Sequence, residues 1–108
     1  MNAPVRRAIE DLARERDRSA RPYLEFLRVP SMSAGIYELA AGAEDNQRPH
    51  EQDEIYYVVS GRARFKAAGE SSSVKPGSVL FVPARVEHRF ERIEEDLRVL
   101  VVFAPEET

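Results

Sequence analysis

From Tyr23 onward the chain is divided into short apolar runs, at residues 23–29, 32–40, 54–60, 62–67, 72–75, 78–82, 87–92 and 96–103. Each is rich in Val, Ile, Leu, Phe or Tyr, side chains that pack well on a pleated surface, and each is bounded by Gly, Pro, Ser or Asp. Short strands at such regular spacing predict an antiparallel barrel or sandwich. Ser60-Gly61 separates two runs by almost nothing and predicts a tight hairpin, and Lys75-Pro76-Gly77 marks another turn. Ahead of the strands, residues 3 to about 18 read as a short helix, with Asn2 as cap, Pro4 in the first turn, and Val5, Ile9 and Leu12 on one apolar stripe. The run Arg14, Glu15, Arg16, Asp17, Arg18 reads as a solvated helical face, because mixed signs at these spacings form weak exposed pairs. Pro22 blocks continuation of the helix. The expected organisation is a helix and linker at 1–22 and one barrel domain at 23–108, with the tail from Ala104 to Thr108 frayed or loosely packed.

A chain of 108 residues can bury one core but not two. With 43% hydrophobic and 32% charged residues and a net charge of -3, it suits a globular protein and argues against a nucleic-acid surface. It contains no cysteine, so a bound metal must be held by nitrogen and oxygen. The N-terminus has no apolar core of a signal peptide, and no stretch approaches the ~20 apolar residues of a membrane span. No membrane partner is expected, and cytoplasmic residence is the default.

The chain has two histidines, His50 and His88, each at a turn between apolar runs, and Glu54 follows the first by four residues. A fully extended strand would put His50 and Glu54 about 13 Å apart, too far to share an ion comfortably. The polar, turn-compatible Glu51-Gln52-Asp53 lets the chain fold back, so that His50 ends one strand and Glu54 begins the next. Two imidazoles and a carboxylate suit a divalent transition metal, Fe, Mn, Co, Ni or Zn, and leave positions open for water or substrate.

The surrounding frame runs Gly42, five residues, Arg48, one residue, His50, three residues, Glu54, six residues, Gly61, and then Gly77, five residues, Pro83, four residues, His88. Together with the segments RPHEQDEIYYVVSG and GSVLFVPARVEH, it resembles the two motifs of the cupin superfamily, with a minimal 15-residue insert from Arg62 to Pro76. The resemblance spans Gly42 to about Arg92 and implies an all-β fold: a double-stranded β-helix, or jelly-roll-like antiparallel barrel, here with a short N-terminal α-helix. It also implies a metal in the barrel mouth and frequent dimerisation. Two positions depart from the motifs. Arg48 stands where a histidine ligand is usual, and Arg85 stands where glycine is usual, which implies altered loop geometry before His88.

Arg48 stays protonated and cannot ligate a metal. It shares strand parity with His50 and is a candidate to bind an anionic substrate group with bidentate hydrogen bonds; an exposed arginine, or one paired with Glu54, is the alternative. Gln47 can fill the fourth ligand position through its carbonyl oxygen. Strand parity turns Tyr56 and Val58 inward with Glu54, and Phe90 inward with His88, making Tyr56 and Phe90 candidate pocket residues. Tyr37 and Phe26, on earlier strands, are further candidates without a fixed parity. The runs 79–82 and 100–103 read as core or interface. The expected function is a metal-binding protein that acts on or holds a small polar or anionic metabolite, as a dioxygenase, isomerase or lyase; the alternative is a non-catalytic ligand-binding or sensing module. Exposed sheet edges predict a homodimer.

Overall fold

The computed structural model describes residues 3–108. One helix, α1 (Ile9–Ser19), precedes six strands: β1 (Tyr23–Val29), β2 (Met32–Leu39), β3 (Asp53–Ala67), β4 (Glu70–Val74), β5 (Val79–Val82) and β6 (His88–Ala104). All pairings are antiparallel. β3 and β6 run against each other along nearly their whole length, from Asp53↔Ala104 to Ala67↔His88. β5 pairs with the first part of β3 and β4 with its last part, while β2 and then β1 extend the sheet from the second half of β6. The long β3–β6 ribbon therefore belongs to both sheets of a double-stranded β-helix.

The ribbon can turn from one sheet into the other because it is bulged. Register shifts fall between Val58 and Arg64. Across them the buried set on β3 changes from Glu54, Tyr56 and Val58 to Ala63 and Phe65, as an inserted residue must make it do. Gly61 sits in this bulge at φ +97°, and a Cβ there would lie 2.3 Å from the Asp96 carbonyl oxygen. Ser60-Gly61 is thus a bulge in a continuous strand, correcting the expected hairpin: glycine is required by close backbone approach, not by chain reversal. The runs 87–92 and 96–103 likewise form one strand, bent where Arg92 takes φ +48°. The core fills the space between the sheets with residues such as Leu39, Phe65, Phe90, Leu97 and Val99.

The helix begins at Ile9, later than expected. Ala8 is extended and gives no side-chain cap, and Val5 is exposed; the predicted cap Asn2 lies outside the described residues. Only Leu12 and Ala13 are buried, so the helix persists where it docks on the sheet and not upstream, as expected for a short segment stabilised by packing. The charged run is not wholly solvated either. Arg16 and Arg98 both reach the half-buried Glu38 on β2, at 3.1 and 2.7 Å, and this triad ties helix to sheet.

The tail is held, not frayed. Glu107 donates its N–H to Ser33 Oγ (2.9 Å) and accepts from Arg28 at its carbonyl (2.7 Å), and Gln52 donates to Thr108 Oγ1 (2.9 Å). Among the described residues no helix is long and apolar enough to cross a membrane.

Candidate metal centre

Residues 40–52 connect β2 to β3 without strand or helix structure, so His50 is placed by a loop and Glu54 by the second residue of β3. His88 opens β6. Its position is coupled to the first loop through the backbone, where Arg85 N–H donates to the His50 carbonyl at 2.7 Å. Arg85 takes φ +67° to do so, the left-handed conformation implied by a residue standing at a glycine position.

One ligand atom from each of His50, Glu54 and His88 lies within 4.8 Å of the others. His88 Nε2 is 2.6 Å and His50 Nε2 4.0 Å from Glu54 Oε1. Donors sharing an ion at about 2.1 Å stand roughly 3.0–3.4 Å apart for octahedral or tetrahedral angles, a spacing these distances bracket. Gln47 joins them, its Oε1 3.3 Å from His50 Nε2.

The hydrogen bonding leaves these atoms free to face an ion. His88 Nδ1–H donates to the Val86 carbonyl at 2.9 Å; in the neutral ring this leaves the Nε2 lone pair on the side of Glu54, and in the protonated ring Nε2–H reaches that carboxylate. Glu54 is 1% exposed, yet neither of its carboxylate oxygens receives a hydrogen bond. A carboxylate buried without donors is costly, and a cation between it and two imidazole nitrogens is the partner its surroundings fit. Burial works against protonation of His88, but the adjoining Glu54 carboxylate, the Val86 carbonyl and the charge of Asp45 outweigh it and hold its pKa above the usual imidazole range.

Behind the cluster is a polar network. Asp45, 6% exposed, accepts from Gln47 Nε2 (2.6 Å), Tyr37 O–H (2.8 Å) and Phe90 N–H (2.9 Å). It fixes the amide of Gln47 with its nitrogen on Asp45 and its oxygen toward His50. Tyr56, 1% exposed, donates to Gln47 Oε1 at 2.9 Å and lies 3.1 Å from His88 Nε2. Burial and the Glu54 charge push its phenol well above the usual range, so it serves as a donor and not as a base. Glu107 reaches in from the tail, its Oε2 3.3 Å from His50 Nδ1.

Two cavities adjoin the cluster. One of about 110 Å³ is walled by Tyr23, Tyr37, Tyr56, Val101 and Phe103 with Gln47, His50 and Glu107. The other, a cleft of about 500 Å³, opens beside Gln47 and His88 and is lined also by Asp45, Asn46, Lys66 and Arg89.

The structure thus brings together His50, Glu54, His88, Gln47 and Tyr56, and Tyr37 joins them through Asp45. Arg48 is exposed and lines neither cavity. Its expected inward direction rested on strand parity, which does not operate in a loop. Phe90 packs behind Tyr56 and Phe65, with ring centroids at 5.1 and 5.0 Å, and does not wall either cavity; Phe26 stands at the β1 bulge, away from both. Asp45, Tyr23 and Glu107 are additions from the structure. An acid two residues before the Gln47-x-x-His50 group was a weak signal for Asp45, and nothing in the sequence pointed to Glu107.

A family model described as Cupin domain matches residues 35–103. A protein of Streptomyces coelicolor, itself described as uncharacterized, is 52% identical over 100 residues, covering 93% of this chain and 95% of that one. Among solved structures, KdgF from Halomonas sp. superposes with a TM-score of 0.70 at 27% identity, covering 77% of this chain and 76% of that chain. The DMSP lyase DddQ from Ruegeria pomeroyi gives a TM-score of 0.66 at 25% identity; the match covers 70% of this chain but only 39% of the lyase.

Proposed function

We propose, for a chain that belongs to the Cupin domain family, that it binds a divalent transition metal (Fe, Mn, Ni, Co or Zn) and acts there on, or holds, a small polar or anionic metabolite. His50, Glu54 and His88 are the metal ligands and Gln47 the fourth protein donor. The observation that carries this reading is Glu54, a buried carboxylate with no hydrogen-bond donor, facing two imidazole nitrogens. When bound, such an ion supplies Lewis-acid polarisation of a ligand oxygen or a site for dioxygen. The chain's own residues do the rest: Asp45 and Tyr56 orient Gln47, Val86 orients His88, and the tyrosine-walled cavity limits what can approach. Dioxygenase, isomerase and lyase activities are the reactions to test, and the likeness to a DMSP lyase makes lyase substrates a reasonable first panel.

A specific observation also favours the binding or sensing alternative. Of the three bases that the sequence offered, Glu51 is exposed and paired with Arg85, Asp53 accepts from Ala84 N–H at 2.8 Å, and Tyr56 is held protonated. None of the three is a free base beside the metal ligands. Elemental analysis of protein purified without added metal, against a His50→Ala/His88→Ala variant, tests the shared premise; near-stoichiometric metal is expected in the native chain alone, and equal background in both rejects it. Oxygen uptake and a metabolite panel on the loaded protein then separate the enzyme from the binding module.

The reading extends to assembly and location. Residues 23–108 act as one barrel domain with 1–22 as helix and linker, in the cytoplasm, as a homodimer. Ile55, Tyr57, Val79 and Phe81, each at least 43% exposed, form an apolar face on paired strands β3 and β5 that supports self-association. A monomer by light scattering would contradict the dimer.

A further inference from the structure

We propose that Glu107 is a positioning residue for the metal centre, its carboxylate accepting the Nδ1 proton of His50 so that the Nε2 lone pair points at the site shared with Gln47, Glu54 and His88. The inference rests on the metal reading above and adds to it a residue outside both sequence motifs.

The two imidazoles face the same requirement and meet it differently. A metal-binding histidine must carry its proton on the other ring nitrogen, and an acceptor there fixes both the tautomer and the ring plane. For His88 the acceptor is local, the carbonyl of Val86 two residues earlier. His50 lies in a loop with no such backbone partner among the described residues; its Nδ1 is 3.3 Å from Glu107 Oε2 and its Nε2 3.3 Å from Gln47 Oε1. Phe103 meets the ring edge-on with centroids 4.8 Å apart, which restrains its tilt but not its tautomer.

Glu107 is itself held by its backbone. Its N–H donates to Ser33 Oγ on β2, a residue with no exposure, and its carbonyl accepts from Arg28 on β1. Thr108 is tied to Gln52 just before β3. Contacts from three parts of the barrel therefore place one carboxylate against one ring nitrogen. A carboxylate acceptor also makes the opposite nitrogen a stronger donor, and it gives the centre two carboxylates, Glu54 and Glu107, to balance a divalent charge. His50 and Glu107 are 20% and 25% exposed, so water weakens the pair and the lower end of the usual effect is expected.

The test measures zinc affinity by competition with a chromophoric chelator for the native chain, Glu107→Gln, Glu107→Ala and, as a control that loosens the tail but keeps the carboxylate, Ser33→Ala. Zinc binding should weaken about tenfold in Glu107→Gln and as much or more in Glu107→Ala, and less than threefold in Ser33→Ala. Long-range ¹⁵N NMR of the same samples should show a proton on His50 Nδ1, protected from exchange in the native chain and lost to rapid exchange without the carboxylate. Zinc affinity of folded Glu107→Gln within twofold of native, or a His50 proton unaffected by the substitution, overturns the assignment, even if the variant melts earlier. A native chain that takes up no zinc removes the metal reading instead; the His50 proton in that sample, protected with Glu107 and unprotected without it, then decides the role of Glu107 on its own.

Discussion

Replacing Glu54 with methionine should stabilise the metal-free protein while abolishing its response to metal. Glu54 is 1% exposed and both of its oxygens lack a hydrogen-bond donor. A buried polar group left unsatisfied costs about 1–3 kcal/mol, more when charged, and a carboxylate has two such oxygens. His88 Nε2 at 2.6 Å returns part of that cost. In the variant, the Tyr56 O–H, 3.1 Å from the same nitrogen, can donate to it instead. The expected net gain for metal-free Glu54→Met is about 1–3 kcal/mol, or roughly 4–12 °C in melting midpoint for a domain of this size. Metal reverses the order. An ion present at a thousand times its dissociation constant stabilises the native chain by about 4 kcal/mol, and the variant, having lost its carboxylate ligand, should gain little. Thermal unfolding followed by circular dichroism, first after chelation and then with added Zn²⁺ or Mn²⁺, reads both halves. A metal-free variant that melts below the native chain, or one that responds to metal as strongly, would refute the assignment of Glu54 as a ligand kept in an otherwise unfavourable place.

Gln47→Ala should weaken metal binding by about tenfold, and Asp45→Ala should weaken it comparably although Asp45 is not a proposed ligand, since Asp45 orients the Gln47 amide; chelator competition with each variant checks this, and an Asp45 effect absent while Gln47 matters would remove the orienting role. Arg85→Gly should stabilise the protein by up to about 1 kcal/mol, because the left-handed φ of +67° costs any residue with a Cβ about that much, while the lost Glu51 pair is exposed and worth little; denaturant titration gives the value, and a destabilised variant would contradict it. The His88 pKa is raised because Glu54, the Val86 carbonyl and Asp45 outweigh burial. Its stabilising contribution to the metal-free protein is full below the ordinary value of about 6.5 and is lost as pH rises through the higher folded value. Metal-free midpoints should therefore fall from about pH 6 to about pH 8, and His88→Gln should flatten that slope.

Local chemistry made the strands legible where each run ended in a true turn, as at Lys75-Pro76-Gly77, and misleading where glycine served another purpose. Ser60-Gly61 looks the same in sequence whether the chain reverses or bulges; the difference lies in Asp96 and Leu97 across the ribbon, residues that no local window contains. The grouping of His50, Glu54 and His88 was legible because the motif spacing encodes it directly. Of the two readings of Arg48 the exposed one holds, because the inward one carried parity from β3 back into a loop, where alternation has no meaning. Glu107 was invisible because its role depends on Ser33 and Arg28, both distant in the chain, holding the tail against His50.

These long-range supports bear on how the centre forms. Two of the proposed ligands depend on partners from other parts of the fold: Gln47 through Asp45, which is fixed in turn by Tyr37 of β2 and the Phe90 backbone of β6, and His50 on Glu107 in the tail. Gln47 is a neutral, weak donor, and its use in place of a histidine is reasonable only because its amide is held before any ion arrives. Such a site is assembled when the ribbon has bulged, the sheets have closed and the tail has docked, and it does not exist in the unfolded chain. The free energy of metal binding is then also free energy of folding, and the buried carboxylate of Glu54 is the part of the barrel that the ion would stabilise most.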